Sequence, residues 1–196
     1  MAGLGRYGLG PLALGLGALA IPLALIALSA YLDPSFDPYS NALSDLGNSL
    51  TSEVAPIFNL GLSLGGFLLG LYAASYAVKV DRALACLLAV TAFSLTLVAV
   101  FDEAYDRFHR LHFIASLLFF ASLLAFLLGF ALTKRTLTPL ISIAAGSSAW
   151  TLHLAYGIPK GAAVPEIISI AAAAPFYLYM ILKSATTVKE ASSSAP

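Results

Sequence analysis

The sequence contains few charged residues and lacks several features that soluble proteins and nucleic-acid-binding proteins share. Charged residues occupy 10% of its 196 positions, against about 25% in an average soluble domain. The single cysteine, Cys86, excludes an intrachain disulfide and a cysteine cluster. The basic residues do not cluster into a face, so we expect no nucleic-acid partner. No Walker motif is present.

Hydrophobic residues, in contrast, make up 60% of the chain, and its mean hydropathy is +0.90. Six runs are long enough to cross a bilayer, which takes about 20 apolar residues in a helix. They cover residues 7–31, 55–78, 83–101, 111–133, 137–157 and 163–183. The runs are continuously apolar instead of alternating, which predicts helices and not barrel strands.

Short connections between these runs make sequential helices antiparallel neighbours. We therefore predict an all-α, polytopic membrane protein of the cell membrane, built as one antiparallel six-helix transmembrane domain over residues 1–183. Residues 184–196, which end in ASSSAP, predict a disordered cytoplasmic tail. Gly61 and Gly65 form a G-x-x-x-G pattern, which predicts close packing of the second helix against a neighbour.

The distribution of basic residues predicts that both termini lie in the cytoplasm. With this orientation, seven basic residues lie inside, namely Arg6, Lys79, Arg82, Lys134, Arg135, Lys183 and Lys189. Three lie outside, namely Arg107, Arg110 and Lys160. Most acidic residues and all three histidines then lie at the outer face.

The first long polar stretch, NALSDLGNSL at residues 41–50, lies on this outer side. Read as a helix, it places Asn41, Asp45 and Asn48 on one face and its leucines largely on the other. This pattern predicts a short amphipathic helix at the interface or tucked into the mouth of the bundle.

The second polar stretch, FDEAYDRFHRLHF, connects the third and fourth runs. If the fourth helix begins near Tyr105, one face carries a polar stripe of Tyr105, His109, His112 and Ser116. A polar stripe in an apolar helix is expected to face the bundle interior or a water-filled cavity. The alternative is structural: Asp106 would stabilise the helix N-terminus, and the histidines would hydrogen-bond in a wet loop.

The outer ends of the fifth and sixth helices add His153 and Glu166. Three imidazoles and several carboxylates at one depth suit Zn²⁺ or another divalent metal. We predict His109, His112 and His153 as metal ligands. Asp45 and Asp102 are candidates for a fourth ligand or a general base, and Ser44 for orienting water or polarising a carbonyl. Asn41, Asp106 and Glu166 complete the predicted polar site.

Two segments together, YSNALSDLG and FDEAYDRFHRLHFIAS, resemble those of an archaeal and bacterial membrane family known as domain of unknown function 998. The matching residues are Ser44, Asp45, Leu46, Gly47, Asp102 and either His109 or His112. The resemblance implies a six-helix bundle and no established activity. More distantly, the Ser, Asp and His set is similar to that of the alkaline ceramidase and progestin-type receptor superfamily, whose members are zinc-dependent lipid amidases.

Three functional classes remain open on these residues. The leading interpretation is a metal-dependent hydrolase that acts on a lipid or lipid-linked substrate. The second is a non-enzymatic transporter, channel or binding protein whose acidic mouth captures a cation or a lipid headgroup. The third is a haem protein in which His112 and His153 are the two axial ligands. In each class, membrane lipid is a partner.

Overall fold

The computed structural model describes residues 8–193, and within them the chain is helical without a strand. Six α-helices follow one another: α1 (Leu9–Leu32), α2 (Ala55–Ser75), α3 (Arg82–Val100), α4 (Leu111–Lys134), α5 (Thr138–Tyr156) and α6 (Ala163–Ser193). Three short 3₁₀-helices lie in the connections: η1 (Leu43–Gly47), η2 (Ala77–Lys79) and η3 (Glu103–Arg107). The all-α prediction is confirmed.

Each α-helix packs against the next along the chain, and α6 also packs against α1 and α4, so that the helices enclose a common interior. Glycine allows the closest of these contacts. A Cβ added at Gly61 would lie 2.8 Å from Leu25, and one added at Gly65 would lie 2.7 Å from Pro22. The predicted close packing of α2 is therefore confirmed, and its partner is α1.

The helix ends follow local sequence signals. Asp81 begins α3, since its carboxylate accepts hydrogen bonds from the backbone N–H groups of Ala83 and Leu84, both at 3.1 Å. Pro56 occupies the first turn of α2, where a missing N–H costs nothing. Gly157, with φ of 64°, ends α5 in the left-handed region that favours glycine.

Five of these helical segments are long and apolar enough to cross a membrane, namely Leu9–Leu32, Ala55–Lys79, Arg82–Val100, Leu111–Lys134 and Ala163–Ser193. The chain is thus a multi-pass membrane protein. Within residues 8–193, α5 is the α-helix that does not join this set. A sixth span and the cytoplasmic position of both termini stay predictions.

The predicted disordered tail is wrong for residues 184–193, which continue α6 as helix. Their packing gives the reason: Ser184 and Ala185 are buried, and the Ala185 carbonyl accepts a 2.9 Å hydrogen bond from the Gly8 N–H. With 31 residues, α6 is about 46 Å long at 1.5 Å per residue, which exceeds the roughly 30 Å hydrocarbon core of a bilayer. Residues 194–196 of the predicted tail lie outside the described residues.

Candidate functional site

The stretch from residue 41 to residue 50 tucks into one end of the bundle, although it forms the 3₁₀-helix η1 instead of the predicted α-helix. Leu43 and Leu46 are buried, and Leu46 is 0% exposed. The Gly47 carbonyl accepts a 2.8 Å hydrogen bond from Asn59 Nδ2, and a Cβ at Gly47 would collide with Phe58. Leucine burial and a glycine with no room for a side chain thus fix η1 against α2.

Asp45 is held by its own segment. Its Oδ2 accepts hydrogen bonds from Asn41 Nδ2 at 2.8 Å and from the Ala42 N–H at 3.0 Å. Asn41 and Asp45 therefore do meet, as the sequence predicts, but through a cap on a 3₁₀ turn. Ser44, next to Asp45, lines the cavity described below.

Glu166 joins this group from the first turn of α6. The carboxylate is 8% exposed, and its Oε2 accepts a 2.8 Å hydrogen bond from the Leu43 N–H. The backbone holds the two segments together, since the N–H groups of Gly161 and Ala163 donate to the carbonyls of Tyr39 and Asn41, at 2.9 and 3.0 Å. Gly161 is required there because a Cβ would overlap the backbone of Asn41.

Glu103, on η3, is a member of the site that the sequence reasoning missed. Its Oε2 accepts a 3.1 Å hydrogen bond from Asn48 Nδ2, which joins η3 to the end of η1. Burial and the nearby negative charge of Asp45 raise the pKa of Glu103, against the lowering effect of the Asn48 hydrogen bond. We call the group of Asp45, Glu103 and Glu166, with η1 and η3, the acidic end.

The predicted histidine stripe is wrong. His109 and Arg110 have φ of 52° and 57°, in the left-handed region, so α4 begins only at Leu111. Because these two residues break the helix, His109 is exposed in the connection and shares no helix face with His112. Tyr105 lies in η3.

His112 is 6% exposed and its two ring nitrogens both have partners. Nδ1 lies 2.8 Å from the Phe101 carbonyl, which can only accept, so Nδ1 carries the proton. Nε2 then accepts from Ser116 Oγ at 3.3 Å. With the proton on Nδ1, Nε2 is the ring atom that can act as a base toward Ser116.

His153 lies on α5 and its Nδ1 donates to the Pro159 carbonyl at 2.9 Å. Trp150, one turn earlier, donates from Nε1 to Ser169 Oγ on α6 at 3.0 Å. Among residues 8–193, no three His, Cys, Asp or Glu side chains are arranged to hold a metal ion. The roles of His109, His112 and His153 in binding zinc or haem stay predictions that this geometry does not support.

Asp102 and Asp106 have structural partners. Asp102 is 7% exposed and accepts a 2.9 Å hydrogen bond from the Ala104 N–H, which starts η3. Asp106 accepts from the Phe113 N–H at 3.0 Å, across the break in the backbone, and so stabilises the start of α4. The structural interpretation of Asp106 is confirmed.

A cavity of about 710 Å³ opens between α4, α5 and α6, and we call it the groove. Its walls are mainly apolar, with Leu117, Leu124 and Leu127 from α4 and Ala172 from α6. Its polar groups concentrate at the acidic end, where it is lined by Ser44, Asp106, His112, Ser116, His153, Glu166 and Ser169. On α5, Ser142, Gly146 and Ser147 also face the groove, which explains why this helix is less apolar than the others.

Comparison with known proteins adds a family match. Residues 16–182 match the family described as "Protein of unknown function (DUF998)". No curated protein and no solved structure matches the chain.

Proposed function

The chain belongs to the DUF998 family of proteins of unknown function, and we propose that it is a membrane protein that binds a lipid in the groove. The observation that carries this proposal is the groove itself, which has mainly apolar walls and most of its polar groups at one end. In a bilayer such a cleft is filled by lipid. Its division into a long apolar part and a polar end corresponds to the chain and headgroup of a lipid.

The headgroup contacts supply the selectivity. A lipid tail is already in apolar surroundings before it enters the groove, so its transfer gains packing and little hydrophobic free energy. Two carboxylates line the polar end of the groove, Asp106 and Glu166, and neither forms an ion pair within residues 8–193. They favour a headgroup that donates hydrogen bonds or carries positive charge.

Trp150 provides the test, because it lines the groove and is the single tryptophan of the chain. Phosphatidylethanolamine with brominated acyl chains, titrated into protein in detergent micelles, quenches a tryptophan that it contacts. We expect saturable quenching of Trp150 at low lipid-to-protein ratios. The matched control is Phe93→Trp in a Trp150→Phe background, since Phe93 is 65% exposed on α3 and does not line the groove. Identical quenching curves for the two proteins would contradict a specific groove site.

One observation favours a second candidate function, lipid ester hydrolysis without a metal. Ser116 and His112, 3.3 Å apart, both line the groove, and the Phe101 carbonyl orients the imidazole. In that reaction, Ser116 Oγ bonds to the ester carbonyl carbon while its proton passes to His112 Nε2. The ester C–O bond breaks as the same proton goes to the departing alcohol. Water deprotonated by His112 then attacks the acyl carbon, and His112 returns that proton to Ser116 Oγ as the acid leaves.

A fluorophosphonate probe, which labels activated serines, tests this second candidate. We expect labelling that Ser116→Ala and His112→Ala abolish. Ser122→Ala is the matched control, since Ser122 lies on the same helix, donates to the Phe119 carbonyl at 2.7 Å and does not line the groove. Absence of labelling in the unmodified protein would leave lipid binding as the proposed function. The metal-dependent hydrolase stays a prediction, and metal analysis of protein without a histidine tag tests it.

A further inference from the structure

A second cavity lies inside the bundle, on the other side of α4 and α6 from the groove. Its volume is about 140 Å³, and residues of α1, α2, α3, α4 and α6 line it. Along α4 its lining extends from Ser116 to Phe126, a distance of about 15 Å at 1.5 Å per residue. This volume is close to that of a cavity of about 150 Å³ that binds benzene, so it holds about six carbon atoms at the end of one chain.

The two cavities meet at the acidic end. Ser44, Ser116 and Glu166 line both of them, and they are the polar residues that the two linings share. Farther along α4, Phe120 and Leu123 also line both, so these two side chains form the partition between the cavities. One polar junction thus leads into two apolar spaces that lie side by side.

The other half of the partition comes from the alanine run of α6. Ala172 lines the groove, whereas Ala173 and Ala174 line the interior cavity. Ala171, just before them, is exposed and lines neither. Small side chains keep this wall thin, which allows one molecule to occupy both sides of it.

We propose that the ligand is a lipid with two chains, of which one lies in the groove and the second enters the interior cavity. This inference rests on the proposed lipid-binding function. Such a lipid has one polar headgroup and two apolar chains. These parts match one polar junction that leads into two apolar spaces. The interior cavity is apolar along most of its length and close in volume to a cavity of about 150 Å³ that stays dry and binds benzene. An apolar chain therefore suits it better than water.

The alanine run offers a matched set of variants. Ala174→Leu fills the interior cavity, Ala172→Leu fills the groove, and Ala171→Leu adds the same atoms to an exposed position. The probes are brominated diacyl and monoacyl phosphatidylethanolamine, and the readout is the dissociation constant from Trp150 quenching. We expect Ala174→Leu to weaken diacyl binding at least about fivefold, the effect of losing roughly ten close carbon contacts. Its monoacyl binding should stay unchanged, whereas Ala172→Leu should weaken both and Ala171→Leu neither.

The outcomes separate the two proposals. If Ala172→Leu weakens both lipids while Ala174→Leu leaves the diacyl constant unchanged, the groove binds lipid but the interior chain is wrong. If the unmodified protein binds neither lipid saturably, the proposed function fails and the two-chain inference with it. Should Ala174→Leu not fold, as judged by size exclusion and circular dichroism, Leu19→Phe fills the same cavity from α1 and must give the same loss.

Discussion

The two ends of the bundle satisfy their polar groups in opposite ways. At the acidic end, Asp45, Glu103 and Glu166 accept hydrogen bonds from backbone and amide groups, and Glu166 lines both cavities. At the other end, which we call the Asp81 end, Asp81 forms an ion pair with Lys134 at 3.0 Å and also begins α3. This ion pair is the only one within residues 8–193.

Near the Asp81 end, two buried tyrosine hydroxyls form hydrogen bonds that join neighbouring helices. Tyr72 is 0% exposed and its hydroxyl lies 3.2 Å from Ser184 Oγ. The Tyr177 hydroxyl donates to the Gly15 carbonyl at 3.0 Å, and the two rings meet edge to face at 5.5 Å. In this region the polar groups join helices by hydrogen bonds, although Tyr177 also lines the interior cavity, whereas at the acidic end they line the groove. The comparison indicates that the Asp81 end serves stability and the acidic end serves binding.

Among the substitutions that test this comparison, Gly161→Ala is expected to change the free energy of unfolding most. The added Cβ overlaps the backbone of Asn41, so the α5–α6 connection must separate from the segment before η1. We expect a loss of about 3 kcal/mol in the free energy of unfolding, at the upper end for an overpacked site. Unfolding by dodecyl sulfate, followed by circular dichroism, measures it.

Gly70→Ala is the control for that measurement, because its Cβ would meet only Ala92 at an ordinary 3.8 Å. Alanine in a helix interior is more favourable than glycine, so this variant should be neutral or slightly stabilising. Equal stability of Gly161→Ala and Gly70→Ala would show that the contact between the two connections does not hold the acidic end together.

The next effect concerns Glu166, which accepts from the buried Leu43 N–H. Glu166→Ala removes the acceptor and leaves that donor unpaired, which costs about 1–3 kcal/mol. Glu166→Gln keeps an acceptor oxygen at the same reach and should lose much less. Comparing the two unfolding curves separates the hydrogen bond from the charge. Similar losses for Ala and Gln would mean that the charge itself, and not the acceptor, stabilises this end.

The sequence predicts the helices well and the site only in part. Continuous apolar runs fix the helices because every buried backbone group in a membrane must be bonded within its own segment. The break at His109 and Arg110 has no glycine or proline to indicate it, and it moved His109 out of the predicted stripe. The role of Glu103 depends on Asn48, 55 residues away in the chain, so no local pattern could assign it.

Contacts between residues far apart in the chain also explain why the sequence does not predict the end of the C-terminal helix. Residues 184–193 read as polar and small, which predicts disorder when neighbours are unknown. Their helix forms because Ser184 packs on Tyr72 and Ala185 meets Gly8, both of which are far away in the sequence. The sequence does predict that Asp45 and Glu166 lie at the same end of the bundle, because both follow from their positions relative to the apolar runs.

A smaller effect distinguishes the two ends by pH. The pKa of Glu103 is raised from its ordinary value of 4.5, chiefly by burial. Between 4.5 and the raised value the unfolded chain binds fewer protons than the folded one, so Glu103 lowers stability as pH rises through this window. Glu103→Gln, which can still accept from Asn48, should remove this decline. An unchanged pH profile of unfolding in Glu103→Gln would contradict the assignment.

The smallest effect, of opposite sign, is expected at the Asp81 end. Burial acts to raise the pKa of Asp81, but the hydrogen bonds from the Leu84 N–H and Lys134, with the Lys134 charge, outweigh it and lower the pKa below 3.8. A lowered carboxyl pKa contributes stability that is present above 3.8 and is lost as pH falls through the lower, folded value.

Since the ion pair is partly exposed to solvent, Lys134→Met should cost only about 0.5–1 kcal/mol at neutral pH. Arg135→Met, next to it and without an ion pair in the described residues, is the control. Acid titration of unfolding in Lys134→Met should show a weaker loss below pH 4 than in the unmodified protein, whereas lipid quenching of Trp150 should not change. A loss of lipid binding in Lys134→Met would break the division between a stabilising end and a binding end.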